Sequence, residues 1–186
     1  MRVMRTKELL ALATVIVSGL APVPAGAQVS TWSVTGAGCV PTGQTISGIG
    51  TFNSAGDAKF PGTSVGEIIL TCPVPSSLRS ATHLAVTYRD SDGAGNVVLL
   101  HAALRRKRLD VGGAQDVPGA VFDSNSFPVA IANVRRSVQF ANACNGNPFV
   151  FDHDRFTYYV QVNMIRRRPN AEVLLSSVDL TGTSFC

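Results

Sequence analysis

The sequence predicts an all-β fold, a single antiparallel β-sandwich of jelly-roll-like topology with about eight strands. The first observation behind this prediction is that apolar and polar residues alternate with a period of two over many short segments, while a helical period is almost absent. The second is that Gly, Pro, Asn, Asp and Ser separate these segments, in a chain with 17 Gly and 10 Pro. The third is a composition of 45% hydrophobic and 15% charged residues, which is typical of one domain with a real core and excludes intrinsic disorder.

The clearest predicted strand covers residues 156–165. Tyr158, Val160 and Val162 fall on one face of it, and Gln161 and Asn163 fall on the other. One face should therefore lie in the core while the other is mostly in contact with water. The remaining predicted strands cover residues 46–52, 65–72, 83–89, 97–109, 119–122, 134–140 and 173–180.

Two turns are predicted to close β-hairpins. Residues 92–96 read Asp-Gly-Ala-Gly-Asn, and several of these residue types tolerate the positive φ that tight β-connections need. Pro169-Asn170 is a second turn signal, between the strand that ends near residue 166 and the strand that begins at Val173.

Residues 1–27 are predicted to be a secretory signal peptide. Arg2, Arg5 and Lys7 precede an apolar run, and Ala25-Gly26-Ala27 supplies the small residues that a signal peptidase needs. The mature domain should then span residues 28–186 and be secreted or periplasmic. From 16 basic and 12 acidic residues, removal of the leader leaves 13 and 11, a net charge of +2. No other apolar stretch is long enough to span a membrane as a helix.

Four cysteines, Cys39, Cys72, Cys144 and Cys186, lie in the predicted mature region, and an even count in an exported protein predicts two disulfides. If residues 46–52 pair with 65–72, Cys39 comes close to Cys72. Folding about Pro169 then brings Cys186 toward Cys144. We expect the pairs Cys39–Cys72 and Cys144–Cys186, with Cys39–Cys186 and Cys72–Cys144 as the alternative that closes the domain ends.

Basic residues are concentrated in three clusters at predicted strand ends. The clusters are Arg105, Arg106, Lys107 and Arg108; Arg135 and Arg136; and Arg166, Arg167 and Arg168. The first cluster is expected to project beyond the covered sheet. If the clusters converge, they form a positive patch for carboxylate, sulfate or phosphate groups, for which the planar guanidinium is suited. The alternative is that these charges protect sheet edges from pairing with other chains.

The sequence also contains candidate metal ligands and three histidines. Asp90, Asp92 and Asn96 offer oxygen ligands for Ca²⁺, although a turn explains the same residues without a metal ion. The sequence contains no H-E-x-x-H motif, no phosphate-binding G-x-x-x-x-G-K-[ST] motif and no G-x-G-x-x-G motif, and His83, His101 and His153 are spread over different segments. No cofactor is expected. Nucleic acid is not an expected partner, because aromatic residues do not interleave the basic clusters.

The segments Cys39-Val-Pro, Leu70-Thr-Cys72-Pro-Val, Val86-Thr-Tyr88-Arg-Asp90 and Tyr158-Tyr-Val-Gln-Val162 resemble a loose group of secreted, disulfide-bonded, all-β bacterial proteins with no established function. The resemblance covers most of the mature chain. It implies that Cys39 and Cys72 correspond to the first two cysteines of that group, which favours their pairing. It implies no activity, ligand or site residue.

These observations predict an exported, non-catalytic binding or surface-associated module. Its arginine clusters would engage anionic polysaccharide of the cell envelope or the extracellular space. Two alternatives stay open: a secreted hydrolase whose site is assembled in space, and a purely structural extracellular protein.

Overall fold

Strands make up nearly all the regular structure of the computed structural model, which describes residues 31–42, 51–53, 55–141, 143 and 147–182. The strands are β1 (Thr31–Thr35), β2 (Val40–Pro41), β3 (Thr51–Phe52), β4 (Ala58–Lys59), β5 (Gly66–Pro73), β6 (Ser80–Ala81), β7 (His83–Asp90), β8 (Val98–Arg108), β9 (Ala114–Asp123), β10 (Ala130–Gln139), β11 (Phe149–Val150), β12 (Phe156–Arg166) and β13 (Val173–Thr181). Two short 3-10 turns cover Gly36–Gly38 and Ser124–Ser126.

The strands form two main antiparallel sheets. The five-stranded sheet has the order β2-β5-β12-β8-β9. In the six-stranded sheet the order is β10-β7-β13-β4-β3, and β1 also pairs with β13. The strands of five or more residues in the described chain are β1, β5, β7, β8, β9, β10, β12 and β13, and they form the orders β1-β13-β7-β10 and β5-β12-β8-β9. Every link between consecutive long strands except β8 to β9 crosses from one sheet to the other. This is a jelly roll, and the predicted fold class is confirmed.

The core lies between the two sheets because each long strand turns every second side chain inward. Tyr88 and Leu175 come from the six-stranded sheet, and Leu100, Phe122 and Val160 come from the five-stranded sheet; all five are fully buried. In β12 the buried positions are the ones that the alternation predicts. The opposite side chains of β12 therefore lie on the outer face of its sheet, and this face forms the site described below.

Both predicted hairpins are wrong, although both turns exist. The chain leaves β7 in the six-stranded sheet and enters β8 in the five-stranded sheet through residues 91–97, so the connection crosses the sandwich. Residues 167–172 likewise connect β12 to β13 in the opposite sheet. Turn residues determine where the chain reverses direction, but they do not determine which strands pair. The apolar strands on either side of each turn pair with other strands, in opposite sheets. Among the long strands of the described chain, β8 and β9 do form a hairpin, through residues 109–113.

The expected disulfide Cys39–Cys72 is confirmed, with a Cα–Cα distance of 4.3 Å. Its structural basis differs from the predicted one. It is β2, directly after Cys39, that pairs with β5, so Val40 lies opposite Thr71. Thr51–Phe52 pairs instead with β4 in the other sheet. The alternative pairing is excluded, and Cys144 and Cys186 lie outside the described residues.

The predicted leader, residues 1–27, also lies outside the described residues. Within the described part of the chain, no helix is long and apolar enough to cross a membrane. A structural disulfide is typical of an oxidising compartment, which agrees with the coarse prediction of export.

Candidate functional site

Polar side chains cover the outer face of the five-stranded sheet, which we call the polar face. Because Leu100, Ala102 and Leu104 point inward, the odd-numbered positions of β8 point outward, and the same alternation applies to β12. Cross-strand register arranges the outward residues in five rows: Thr157, Lys107 and Ala114; Pro73, Tyr159, Arg105 and Asp116; Val40, Thr71, Gln161, Ala103 and Val121; Ile69, Asn163, His101 and Asp123; and Glu67, Ile165 and Leu99.

A continuous chain of side-chain contacts crosses the polar face. Arg105 Nε lies 2.9 Å from Asp116 Oδ1, and Arg105 Nη1 donates to Gln161 Oε1 at 2.8 Å. Gln161 Nε2 donates to Asn163 Oδ1 at 3.1 Å, and Asn163 Nδ2 donates to Glu67 Oε1 at 3.3 Å. We call these five residues the polar ladder. Each link restricts the rotamers of its members, so the planar groups are held in place before any ligand arrives.

Aromatic and apolar groups lie beside the polar ladder. The half-buried Tyr159 is the cross-strand partner of both Pro73 and Arg105. Ala103 and Ile69 are buried in the floor of the face, and Val121 is 38% exposed at its side. The face thus combines planar polar groups with a partly exposed ring and a small apolar floor.

The size of the polar face follows from sheet geometry. Its five rows extend over about 26 Å along the strands, and its four long strands cover about 14 Å across them. Each amide of the ladder uses only part of its hydrogen-bonding capacity within the ladder, so donors and acceptors remain for a ligand. The face can therefore bind an extended molecule that carries many hydroxyl groups.

The first predicted basic cluster is only partly on the polar face. Arg105 and Lys107 point outward there, within the paired part of β8, so the expectation that the cluster projects beyond the sheet is wrong. The Arg106 guanidinium lies 5.0 Å from the centre of the Phe156 ring. Arg108 forms an ion pair with Asp110, at 2.7 Å between Nη2 and Oδ2. Since β8 lies between β12 and β9, protection of a sheet edge does not explain these four charges.

The second cluster lies in the opposite sheet. The Arg135 Nε atom is 3.3 Å from Asp179 Oδ2 on the outer face of the six-stranded sheet. The guanidinium of Arg136 lies 5.8 Å from the centre of the Phe127 ring. Both arginines belong to β10, at the end of the described strand order of that sheet, where the edge-protection interpretation does apply.

The third cluster lies at the far end of β12. Arg166 is paired with Val98 at one end of the β8–β12 ladder, and Arg108 is paired with Phe156 at the other. Ten residues of strand separate these positions, about 33 Å. The structure therefore does not bring the three clusters together: of the nine basic residues, Arg105 and Lys107 share the polar face, and the other seven lie elsewhere.

The predicted calcium loop uses its carboxylates to hold the turn. Asp90 Oδ1 accepts hydrogen bonds from the backbone N–H groups of Asp92 and Gly93, at 3.1 and 2.8 Å. Asp92 accepts from the N–H groups of Val97 and Val98 in the same way, while Asn96 is exposed. The described residues contain no cluster of three or more His, Cys, Asp or Glu suited to a metal ion. Calcium binding at Asp90, Asp92 and Asn96 stays a prediction.

The three histidines have separate environments. The Thr82 hydroxyl lies 2.8 Å from His83 Nδ1, and burial, followed by the charge of Arg135, lowers the His83 pKa. His153 Nε2 lies 2.9 Å from the Leu78 carbonyl oxygen, and its ring stacks on Phe151. His101 lies on the polar face between Asn163 and Asp123. The structure therefore does not bring the three histidines together.

Sequence reasoning missed most of the polar face. It placed Gln161 and Asn163 on the wet side of the clearest strand but gave them no function. It did not single out Tyr159, Glu67 or Asp116. The available signal was the unusual run of amide and aromatic side chains on the solvent side of residues 156–165, but the partners on β5, β8 and β9 depend on the sheet order.

No protein-family model matches the sequence, and no curated protein matches it. Among solved structures, the xylan-binding module CBM15 is similar at 15% identity and a TM-score of 0.45, over 84% of this chain and 99% of that one. A family 11 carbohydrate-binding module of a cellulosomal cellulase from Clostridium thermocellum is similar at 11% identity and a TM-score of 0.41, over 83% and 88%. A family two carbohydrate esterase from Cellvibrio japonicus is similar at 14% identity and a TM-score of 0.39, over 83% of this chain and 34% of that one. This chain therefore spans about a third of the length of that esterase. At these values the similarities carry no argument about this protein's function.

Proposed function

We propose that this protein is an exported, non-catalytic glycan-binding module and that the polar face is its binding surface. The observation that carries the proposal is the polar ladder, in which Asp116, Arg105, Gln161, Asn163 and Glu67 are joined across the outer face of one sheet. Such a series of planar donors and acceptors matches the closely spaced hydroxyl groups of a polysaccharide.

Tyr159 adds the second property that a sugar site needs. The apolar face of a sugar ring packs against an aromatic ring, while the ring hydroxyls point sideways to polar groups. Tyr159 lies in the same row as Arg105, so both contacts are available within one row of the sheet. This arrangement favours a sugar over a ligand that is uniformly polar.

The charge balance of the face favours an uncharged glycan. Arg105 and Lys107 are its cations, and Glu67, Asp116 and Asp123 are its anions. The original prediction of an anionic polysaccharide depended on convergence of the basic clusters, and they do not converge. Binding to the polar face should therefore depend only weakly on salt, because it does not rest on attraction between net charges.

The positions of the carboxylates favour binding over hydrolysis. The carboxyl pair of a typical glycosidase is separated by about 5–9.5 Å. Asp123 lies about 13 Å or more from the other two carboxylate positions of the face. Glu67 and Asp116 lie in rows that are six residues apart along the strands, about 20 Å. Both also belong to the polar ladder, where Asn163 and Arg105 hold them.

Binding to soluble polysaccharides tests the proposal. Affinity electrophoresis would compare xylan, mannan and mixed-linkage β-glucan with anionic polygalacturonate, using the wild type, Tyr159→Ala and Gln161→Ala. We expect binding to at least one uncharged polysaccharide and a loss of about tenfold or more in each variant. Gln139→Ala, a matched change in the opposite sheet, should bind like the wild type.

Two results would contradict the proposal. One is that the folded wild type binds none of the uncharged polysaccharides. The other is that Gln139→Ala weakens binding as much as Gln161→Ala does, which would place the binding surface off the polar face. Circular dichroism of each variant confirms that the change does not act through unfolding.

A further inference from the structure

A cavity of about 340 Å³ lies at the end of the sandwich, where the segment between β4 and β5 meets the segment between β12 and β13. Its lining includes Lys59, Phe60, Arg166, Asn170, Glu172 and Val173. Its volume is at the lower end of the range for small-molecule pockets, about 300–1,000 Å³. The cavity is separate from the polar face, because Arg166 is on the inward side of β12.

Arg166 is a buried charged residue that lines this cavity. It is 8% exposed, because the alternation of β12 turns it inward at the last position of the strand. Its guanidinium donates to the carbonyl oxygens of Gly62 at 2.8 Å, Arg168 at 3.2 Å and Pro169. A guanidinium has five N–H groups, so these three bonds to described residues leave two for a ligand.

The charge of Arg166 is not balanced within the described part of the chain. All three of its described acceptors are neutral carbonyls, and no described carboxylate lies within 4.0 Å of it. A buried charge is costly unless an opposite charge accompanies it. Glu172 lines the cavity, but its Oε1 is 3.3 Å from Arg89 Nη1. Arg166 therefore brings to the cavity a positive charge that no described carboxylate contacts.

We propose that this cavity binds the carboxylate of a small sugar acid. The guanidinium matches a carboxylate in shape as well as in charge, since two parallel N–H groups can meet two oxygens. Phe60 and Val173 supply apolar walls for the carbon skeleton, and the Asn170 side chain offers an amide for hydroxyl groups. This inference does not rest on glycan binding at the polar face.

NMR titration of the ¹⁵N-labelled, oxidised protein tests the inference, because it detects weak binding and reports its location. The probes are D-glucuronate, D-glucose, which lacks the carboxylate, and inorganic sulfate. We expect saturable shifts of the Gly62, Arg168 and Ala171 amides with glucuronate only. Arg166→Lys keeps the charge but loses the planar fork, and should weaken binding by about tenfold.

A second variant covers the case in which Arg166→Lys does not fold. Ala171 also lines the cavity, and Ala171→Leu fills space there without removing an Arg166 hydrogen bond, so it should abolish the shifts. Arg167→Gln, which removes an exposed neighbouring charge, should bind like the wild type. Tyr159→Ala should also bind glucuronate normally, which separates this test from that of the polar face.

Several outcomes would overturn the inference. These are an absence of saturable shifts in the wild type, equal binding of glucose, binding of sulfate in place of glucuronate, and unchanged binding in Ala171→Leu. Equal loss in Arg167→Gln and Arg166→Lys would show attraction to the general positive charge of this end of the molecule, and would also overturn it.

Discussion

Arg105 and Asp116 face each other across the β8–β9 pair, with 2.9 Å between Nε and Oδ1. The same guanidinium donates to Gln161 on the other neighbouring strand, so Arg105 connects three strands of the five-stranded sheet. A residue at the centre of such a network contributes more to the arrangement of its neighbours than to stability, because solvent screens a pair on the sheet surface.

A double-mutant cycle on Arg105→Ala and Asp116→Ala should give a small coupling free energy, about 0.2–1 kcal/mol. The Arg105 and Asp116 side chains are 28% and 53% exposed, which keeps the pair in contact with water. Urea denaturation of the four proteins measures the coupling. A coupling near zero at low salt would show that the pair is not maintained in solution.

Replacement of both Cys39 and Cys72 with serine should lower the free energy of unfolding by about 2–4 kcal/mol. The disulfide closes a segment between residues that are 33 positions apart, and its loss gives the unfolded chain more freedom. Guanidinium denaturation, with and without reductant, measures the change. A loss below about 1 kcal/mol would mean that β2 is held to β5 by strand pairing rather than by the disulfide.

Asp90→Asn should change the pH dependence of stability. Burial raises the Asp90 pKa, and hydrogen bonds from Ser124 and from the Asp92 and Gly93 backbone oppose this only in part. The folded protein then holds the proton more tightly than the unfolded chain. The resulting stability is fully present below the unfolded pKa and is lost as pH rises through the folded pKa.

Asparagine does not titrate and keeps an oxygen for the turn. The free energy of unfolding of Asp90→Asn should therefore rise relative to the wild type as pH increases from about 4. Denaturation at a series of pH values measures this difference. Asp123→Asn, a change at another turn aspartate that accepts a backbone N–H, is the control. A constant difference across pH for Asp90→Asn would contradict the assignment.

Phe122→Ala should lower the free energy of unfolding by about 3–5 kcal/mol. The Phe122 ring is fully buried, with centroid distances of 5.2 Å to Tyr88 and 5.3 Å to Phe127. Tyr88 belongs to the opposite sheet, so the truncation opens a cavity between the two layers. Val121→Ala, on the outer face of the same strand, should cost less than about 1 kcal/mol. Similar losses for both variants would contradict the assignment of inner and outer faces.

The strand at residues 156–165 shows which structural features can be predicted from the sequence alone. Its alternation places Tyr158, Val160 and Val162 in the core and Gln161 and Asn163 on the surface, and the structure confirms both faces. Such a pattern is local, because side chains alternate along a strand whatever the strand pairs with. The expected bond between Cys39 and Cys72 is also confirmed, although β2, and not residues 46–52, provides the neighbouring strand.

The arginine clusters show the opposite case. Arg105 and Arg166 both follow apolar runs and look alike in the sequence, yet Arg105 lies in the outer network and Arg166 is buried beside a cavity. One sits at an outward position of β8 and the other at an inward position of β12. An error of one residue in the assumed register would exchange these environments.

The sequence by itself therefore determined the β class, the strand faces and the turn positions, since these depend on residues close together in the chain. Only the tertiary structure decided which sheet each strand joins, that the basic clusters stay apart, and that Glu67, Arg105, Asp116, Gln161 and Asn163 come together. The contacts among these five residues link side chains up to 96 positions apart. Their formation depends on competition among many apolar strands for the same partners, which no local pattern specifies.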